Sequence, residues 1–227
     1  MPMDHDRVTP PAGGWPEGCR ALTTTRNGPA DPEAVAALGP GPMQWLHQVH
    51  GNHCIEASAA TLGERPQADA AWTCQRRLSI SVVTADCVPV VLCDRDASVV
   101  GVAHGGWRGL VGGVLPALVN ALPVPAGSLV AWLGPAIGPQ AYEVGDDVAG
   151  AVAALPDGRL LARDCLAEGR RPGKYQLDLF TLSERLLERA GVAQICSDRL
   201  CTYSDGRFYS YRREGSTGRL VTMAWLV

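Results

Sequence analysis

Residues 78–109 read LSISVVTADCVPVVLCDRDASVVGVAHGGWRG. Leu78 to Thr84, Pro89 to Cys93 and Val99 to Ala103 are three apolar runs rich in Val and Ile. Turn residues bound each of them, and each is too short for an ordinary helix, so all three read as buried strands. Asp94-Arg95-Asp96 suits a hairpin connection between the last two. Further strands are expected at Arg20 to Thr25, Gln44 to Val49, Asn52 to Glu56, Leu129 to Leu133, Val192 to Cys196, Phe208 to Arg212 and Leu220 to Val227.

Four helices are expected among these strands. Asp31 to Leu38 has Asp31 to cap it and Pro32 at its first position. Gly109 to Leu122 carries Pro116, which predicts a break or a late start. Asp146 to Leu155 is the third. Asp178 to Ala190 is the best marked: Leu179, Leu182, Leu186 and Ala190 form an apolar stripe, Asp178 can cap and Gly191 can end it. This pattern defines an α+β class, with a single domain over residues 17–227. Residues 1–16, polar and rich in Pro and Gly, read as a loosely attached tail.

Composition narrows the function. The 227 residues are 46% hydrophobic, enough for a core, and only 19% charged, with a net charge of -3. No basic excess points to nucleic acid, and no like-charge block points to an interaction tail. No stretch is long and apolar enough to span a bilayer, and the N-terminal residues lack the apolar segment of a secretory signal. A cytoplasmic location is expected, with the eight cysteines as thiols. None of them forms a Cys-x-x-Cys pair, so each has a plain reading as a small buried residue. Nothing in the pattern speaks for or against an oligomer.

His50, Cys87 and His104 stand at strand ends, where a scaffold presents functional groups. Two histidines and a cysteine make a plausible catalytic zinc set with a fourth position open, although a lone buried histidine is more often a satisfied core residue than a ligand. His47 and His53 compete for the role and read as surface or turn residues. Asp86, beside Cys87, should face the other way along the strand, which leaves it as a carboxylate acceptor for a ligand or a general base. Gly105-Gly106 reads as a tight strand-to-helix turn, or as backbone amides open to an anion, with Arg108 as a charged fork for phosphate or carboxylate. Gly134-Pro135-Ala136-Ile137-Gly138-Pro139 is a rigid turn able to wall a pocket.

These motifs together resemble the YfiH-like family, whose members are variously called multicopper polyphenol oxidase or laccase-domain proteins, purine nucleoside phosphorylases and peptidoglycan editing factors. The resemblance rests on Thr24-Thr25-Arg26, Gln48-Val49-His50-Gly51, Ala68-Asp69-Ala70, Thr84-Ala85-Asp86-Cys87-Val88-Pro89 and His104-Gly105-Gly106-Trp107-Arg108-Gly109. It continues through the Gly134 to Pro139 turn, Tyr142-Glu143-Val144-Gly145, Leu177-Asp178-Leu179, Cys201-Thr202, Ser210-Tyr211-Arg212-Arg213 and Thr217-Gly218-Arg219. It implies mixed β-sheets covered by helices, and zinc on His50, Cys87 and His104. It also implies phosphorolysis of adenosine, inosine, guanosine and methylthioadenosine, deamination of adenosine, and Arg26 as a contact to phosphate or substrate. The chain departs from the family in Gln140-Ala141, where paired cysteines are common, and in Gly105, where alanine is common.

Rival readings follow from the same residues. A peptidoglycan editing hydrolase would act on UDP-N-acetylmuramyl-L-serine. Metal-free catalysis would use Cys87 as nucleophile and His104 as base. Copper polyphenol oxidation ranks low, because a multicopper centre needs more than the five histidines present. A purely structural zinc would need a fourth ligand, and no convincing one is visible.

Overall fold

The computed structural model describes residues 6–11 and 13–227. In chain order, β1 (Arg7–Val8) and β2 (Cys19–Thr24) precede the short helix α1 (Pro32–Ala36) and β3 (Met43–Gln44). Then come β4 (Cys54–Glu56), β5 (Ala70–Thr73), β6 (Ser79–Thr84), β7 (Val88–Asp94) and β8 (Val100–Gly105). Helices α2 (Trp107–Val111) and α3 (Val114–Ala121) lead into β9 (Leu129–Leu133) and β10 (Glu143–Gly145). The chain continues through α4 (Asp146–Ala153), α5 (Gly158–Cys165), β11 (Leu166–Glu168), β12 (Lys174–Leu177) and α6 (Leu179–Arg189). It closes with β13 (Gln194–Cys196), α7 (Tyr211–Glu214) and β14 (Leu220–Leu226).

The two large sheets are mixed. One runs β13-β9-β7-β8-β5-β4 and the other β1-β2-β14-β6-β3; a small third sheet runs β10-β12-β11. Alternation along β7 explains the layering. Val91 and Cys93 pack with Val100, Val102, Ile80, Val82, Trp132 and Ala224, filling the space between the large sheets. Val90 and Leu92 pack with Leu115, Leu118, Phe180, Leu182 and Leu186 from α3 and α6 on the other face. A strand buried on both faces shows no polar alternation, which is why this stretch reads as continuous apolar runs. The α+β class and the single domain with helix-covered mixed sheets are as expected.

Asp31 caps α1 by accepting from Glu33 and Ala34, and Asp178 caps α6 by accepting from Thr181. Several expectations need correction. The helix expected over Gly109 to Leu122 divides at Gly112-Gly113, where Gly113 has φ 89°, and not at Pro116. Pro116 sits in the first turn of α3, where the missing N–H has no partner to lose. The strand expected at Phe208 to Arg212 is instead an approach to one helical turn. Ser210 accepts from Arg213 N–H, and Asp86 takes the Arg212 N–H, leaving no ladder to join. Of the expected Gln44 to Val49 strand only Gln44 lies in a strand, as the second residue of β3, and His47 makes a single parallel bridge to Gln67; Gln48 spends its side chain on the Val83 backbone instead. In the stretch read as a tail, residues 1–5 and 12 lie outside the described residues, but Arg7 and Val8 pair antiparallel with Thr24 and Thr23. Helix α5 and the third sheet were not expected at all. No helix among the described residues is long and apolar enough to cross a membrane.

Candidate metal centre

Strand direction brings four separated segments to one end of the six-stranded sheet. Strand β7 begins just after Cys87, and His104 is the last residue but one of antiparallel β8, with Pro89 opposite it. Strand β5 runs antiparallel to β8, so its start, just after Asp69, lies at the same end. Parallel β4 begins there too, a few residues after His50. His50 Nδ1 or Nε2, Cys87 Sγ and a ring nitrogen of His104 all lie within 4.8 Å of one another. The two imidazoles meet edge-on, with ring centroids 4.7 Å apart and planes at 72°. His104 is buried, Cys87 half-buried and His50 exposed, so the cluster opens to solvent on the His50 side.

The carboxylate behind this cluster is Asp69, with no exposed surface. Its Oδ1 lies 2.8 Å from His104 Nδ1 and accepts from His50 N–H at 3.0 Å. Its Oδ2 accepts from Val49 N–H at 3.1 Å and Gly51 N–H at 2.7 Å. These bonds hold His50 in the left-handed region, φ 60°, and direct the Nδ1 proton of His104 to Asp69, which leaves Nε2 for a metal. Burial alone would raise the Asp69 pKa, but His104 and the Gly51 and Val49 amides hold it below the usual carboxylate range. In the sequence, Ala68-Asp69-Ala70 marks the family resemblance but assigns Asp69 no role. A carboxylate between two alanines beside an apolar strand is the signal that it is buried and committed.

Cys87 and His104 are coupled. Burial pushes the Cys87 thiol up, but hydrogen bonds from His104 and His50 outweigh it and bring the pKa to about 6. Burial pulls His104 down, but Asp69 and Cys87 outweigh it and raise the pKa to about 9. Without a metal the pair is therefore a thiolate beside an imidazolium near neutral pH.

The other expected site residues are placed as follows. Asp86 does not reach the cluster: its carboxylate accepts from Thr202 Oγ1 at 2.6 Å and Arg212 N–H at 2.7 Å. The acceptor role expected of it is filled by Asp69. Gly105 is a strand residue paired with Val88, and a Cβ on it would lie 2.7 Å from Val88 Cγ1. A Cβ on Gly106 would lie 2.9 Å from His50 Cδ2 and 3.1 Å from Cys87 Sγ. Close packing therefore explains both glycines, and the five residues of α2 behind them make a weak anion cradle. Arg108 is exposed, its guanidinium 4.4 Å over the Trp107 ring, and among the described residues no carboxylate pairs with it. Arg26 is ion-paired to Glu214, donates to the Phe208 carbonyl at 3.2 Å and lies 4.8 Å over the Tyr209 ring. Its Nε is buried and meets no protein acceptor. His47 and His53 are exposed and outside the cluster.

Tyr142 and Arg212, to which the sequence motifs assign no role, also stand near the cluster. The Arg212 guanidinium lies 5.0 Å over the Tyr142 ring and donates to the carbonyls of Glu143, at 3.0 Å, and Ala141, at 3.4 Å. Burial, then the nearby Cys87 thiolate, push the Tyr142 phenol up to about 12 against the pull of Arg212. A groove of about 660 Å³ lies elsewhere, between Arg7, Arg20, Leu22, Arg207 and Trp225, and carries none of this chemistry.

The fold and site define an α+β chain with an open, solvent-facing cluster of two imidazoles and one thiol. Residues 31–227 match the family described as multi-copper polyphenol oxidoreductase laccase, and the chain belongs to this YfiH-like family. It is 42% identical over 183 residues to a purine nucleoside phosphorylase of Pseudomonas aeruginosa, covering 80% of this chain and 73% of that one. It is 38% identical over 189 residues to purine nucleoside phosphorylase YfiH of Escherichia coli, covering 83% and 75%. Among solved structures, a Neisseria meningitidis protein superposes with TM-score 0.89 at 36% identity, covering 97% of this chain and 99% of that one. The Bacillus licheniformis hypothetical protein YfiH gives 0.84 at 25% identity, covering 92% and 93%.

Proposed function

We propose that this chain is a zinc-dependent purine nucleoside phosphorylase, acting on adenosine, inosine, guanosine and methylthioadenosine, with adenosine deamination as a second activity. The observation that carries the metal reading is the convergence of His50, Cys87 and His104 within 4.8 Å, backed by a carboxylate and open on one side. Relatives named purine nucleoside phosphorylase support the substrate class. Two nitrogens and a thiolate with a free fourth position suit zinc, which when bound supplies a Lewis acid for an oxygen of substrate or water.

The chain's own residues do the rest. Asp69 fixes the His104 tautomer and the His50 loop. Arg26, with its buried Nε lacking a protein acceptor, and Arg108, without a carboxylate partner among the described residues, are the cations offered to phosphate. Phosphorolysis places that phosphate against the ribose anomeric carbon, so both arginines act by holding charge and position. Phenolic Tyr142, with its pKa at about 12, stays protonated at neutral pH and can donate to a substrate oxygen.

The test combines metal analysis with phosphate-dependent release of base from adenosine and inosine, with UDP-N-acetylmuramyl-L-serine as a competing substrate. The expected result is stoichiometric zinc and base release that requires phosphate, both lost in Cys87→Ala. A Cys87→Ala chain keeping full zinc and full activity refutes the site, and hydrolysis of the muramyl substrate alone refutes the reaction.

A further inference from the structure

Asp86 remains unexplained by the metal cluster, although it adjoins Cys87 and is only 8% exposed. Residues 85–87 carry the chain from β6 of one large sheet to β7 of the other, and Asp86 turns that corner with φ 93°. A residue with a Cβ is strained there, and such strain persists only where the surroundings over-determine it. Three donors do so here. Ile137 N–H donates to the Asp86 carbonyl at 2.9 Å, Thr202 Oγ1 to Oδ1 at 2.6 Å, and Arg212 N–H to Oδ2 at 2.7 Å. Thr202 is itself fully buried. The three come from separate sequence motifs: the Gly134 to Pro139 turn, Cys201-Thr202, and Ser210 to Arg213.

Glycine would take this backbone conformation freely, so what aspartate adds over glycine is its two side-chain bonds. We infer that Asp86 is the positioning residue of Cys87: tied to Ile137, Thr202 and Arg212, it locks the turn that aims Sγ at His50 and His104. The inference rests on the metal-binding reading. Asp86 acts through Cys87, and by the same token it fastens the segment that holds Arg26, because Phe208 and Glu214 lie on the stretch that Arg212 anchors.

Zinc affinity, measured by competition with a chromogenic chelator, and melting temperature of the metal-free chain are read together. Thr202→Val removes one tie without touching the turn, and Thr202→Ser returns the hydroxyl. The expected result is zinc affinity weakened roughly tenfold in Thr202→Val and at least as much in Asp86→Gly, the range typical of groups that orient a ligand. Thr202→Ser restores the affinity. A role in stability alone would lower the melting temperature and leave zinc affinity unchanged in both variants, and that result overturns the inference. Should Thr202→Val fail to fold, Asp86→Gly, which relieves the strain, carries the comparison. A wild-type chain that takes up no zinc overturns the metal reading and this inference together; wild-type uptake with unchanged variants overturns this inference alone.

Discussion

Replacing Gly106 by alanine sets a methyl group against all three candidate ligands at once. The added carbon would stand 2.9 Å from His50 Cδ2, 3.1 Å from Cys87 Sγ and 3.7 Å from His104 Cε1. Unstrained carbon contacts lie at about 3.5–4.0 Å, so His50 must retreat by roughly 0.6 Å or more. It cannot do so freely, because Asp69 holds the amides of Val49, His50 and Gly51. Metal ligation tolerates only about 0.2 Å of error in ligand distance. The backbone adds no penalty, since Gly106 has φ -71°, ordinary for alanine. Overpacking should cost about 1–3 kcal/mol of stability. Zinc affinity should fall at least tenfold, which is about 1.4 kcal/mol. Chelator competition reads the affinity and thermal unfolding of the metal-free chain reads the stability. A Gly106→Ala chain with wild-type zinc affinity refutes the reasoning, because it would show that ligation does not use this arrangement of the three side chains.

Other outcomes follow from the same geometry. Asp69→Asn should weaken zinc roughly 10–100-fold and also lower stability, because an amide nitrogen then faces buried N–H donors; unchanged affinity by chelator competition would remove Asp69 from the site. Proton release on zinc uptake should change with pH. Cys87 is lowered from 9.0 to about 6, so its thiolate contribution holds above that range and is lost as pH falls through about 6. His104 is raised from 6.5 to about 9, so its imidazolium contribution holds at low pH and is lost as pH rises through about 9. Between the two, uptake should release about one proton, from His104, and above that window the release should vanish; calorimetry in buffers of different ionisation enthalpy measures it. Arg26→Ala should raise the KM for phosphate roughly tenfold or more with zinc content unchanged, the loss of a charged hydrogen bond. Asp178→Ala removes the cap of α6 and should cost about 1 kcal/mol, lowering the melting temperature by about 2–4 °C without touching zinc affinity.

What could be read in the sequence was set by burial. Strands β7, β8 and β9 are buried on both faces, so their Val and Leu runs declared them without any partner in view. The third sheet had no such signal: Leu166–Glu168 and Lys174–Leu177 are short and largely half-exposed or exposed, and their pairing depends on each other. Helix α5 opens at Asp157 with φ 50° and no side-chain cap, so the usual start signal is missing. Helix α7 was mistaken for a strand because its decisive bond runs from Arg212 to Asp86, 126 residues away. Residue type and position at strand ends were enough to nominate His50, Cys87 and His104. Asp69 and Asp86 could not be sorted by the same means, because which carboxylate faces the histidines depends on the direction of β5 against β8.

That sorting also settles how charge is managed in the buried part of the site. Asp69 has no exposed surface, and Cys87 carries a thiolate near neutral pH. Buried anions persist only when paired. In the metal-free chain one imidazolium, His104, stands between them, touching Asp69 at 2.8 Å and bonding to Cys87. One positive charge against two negative ones leaves the cluster short by one. A divalent cation that displaces the His104 proton makes the histidine neutral and cancels the thiolate and the carboxylate together. Asp86 lies outside this balance, since Thr202 and the Arg212 amide, both uncharged donors, satisfy it from the other side. The two aspartates thus divide the work: Asp69 sets the charge that a dication completes, and Asp86 sets the direction from which the sulfur meets it.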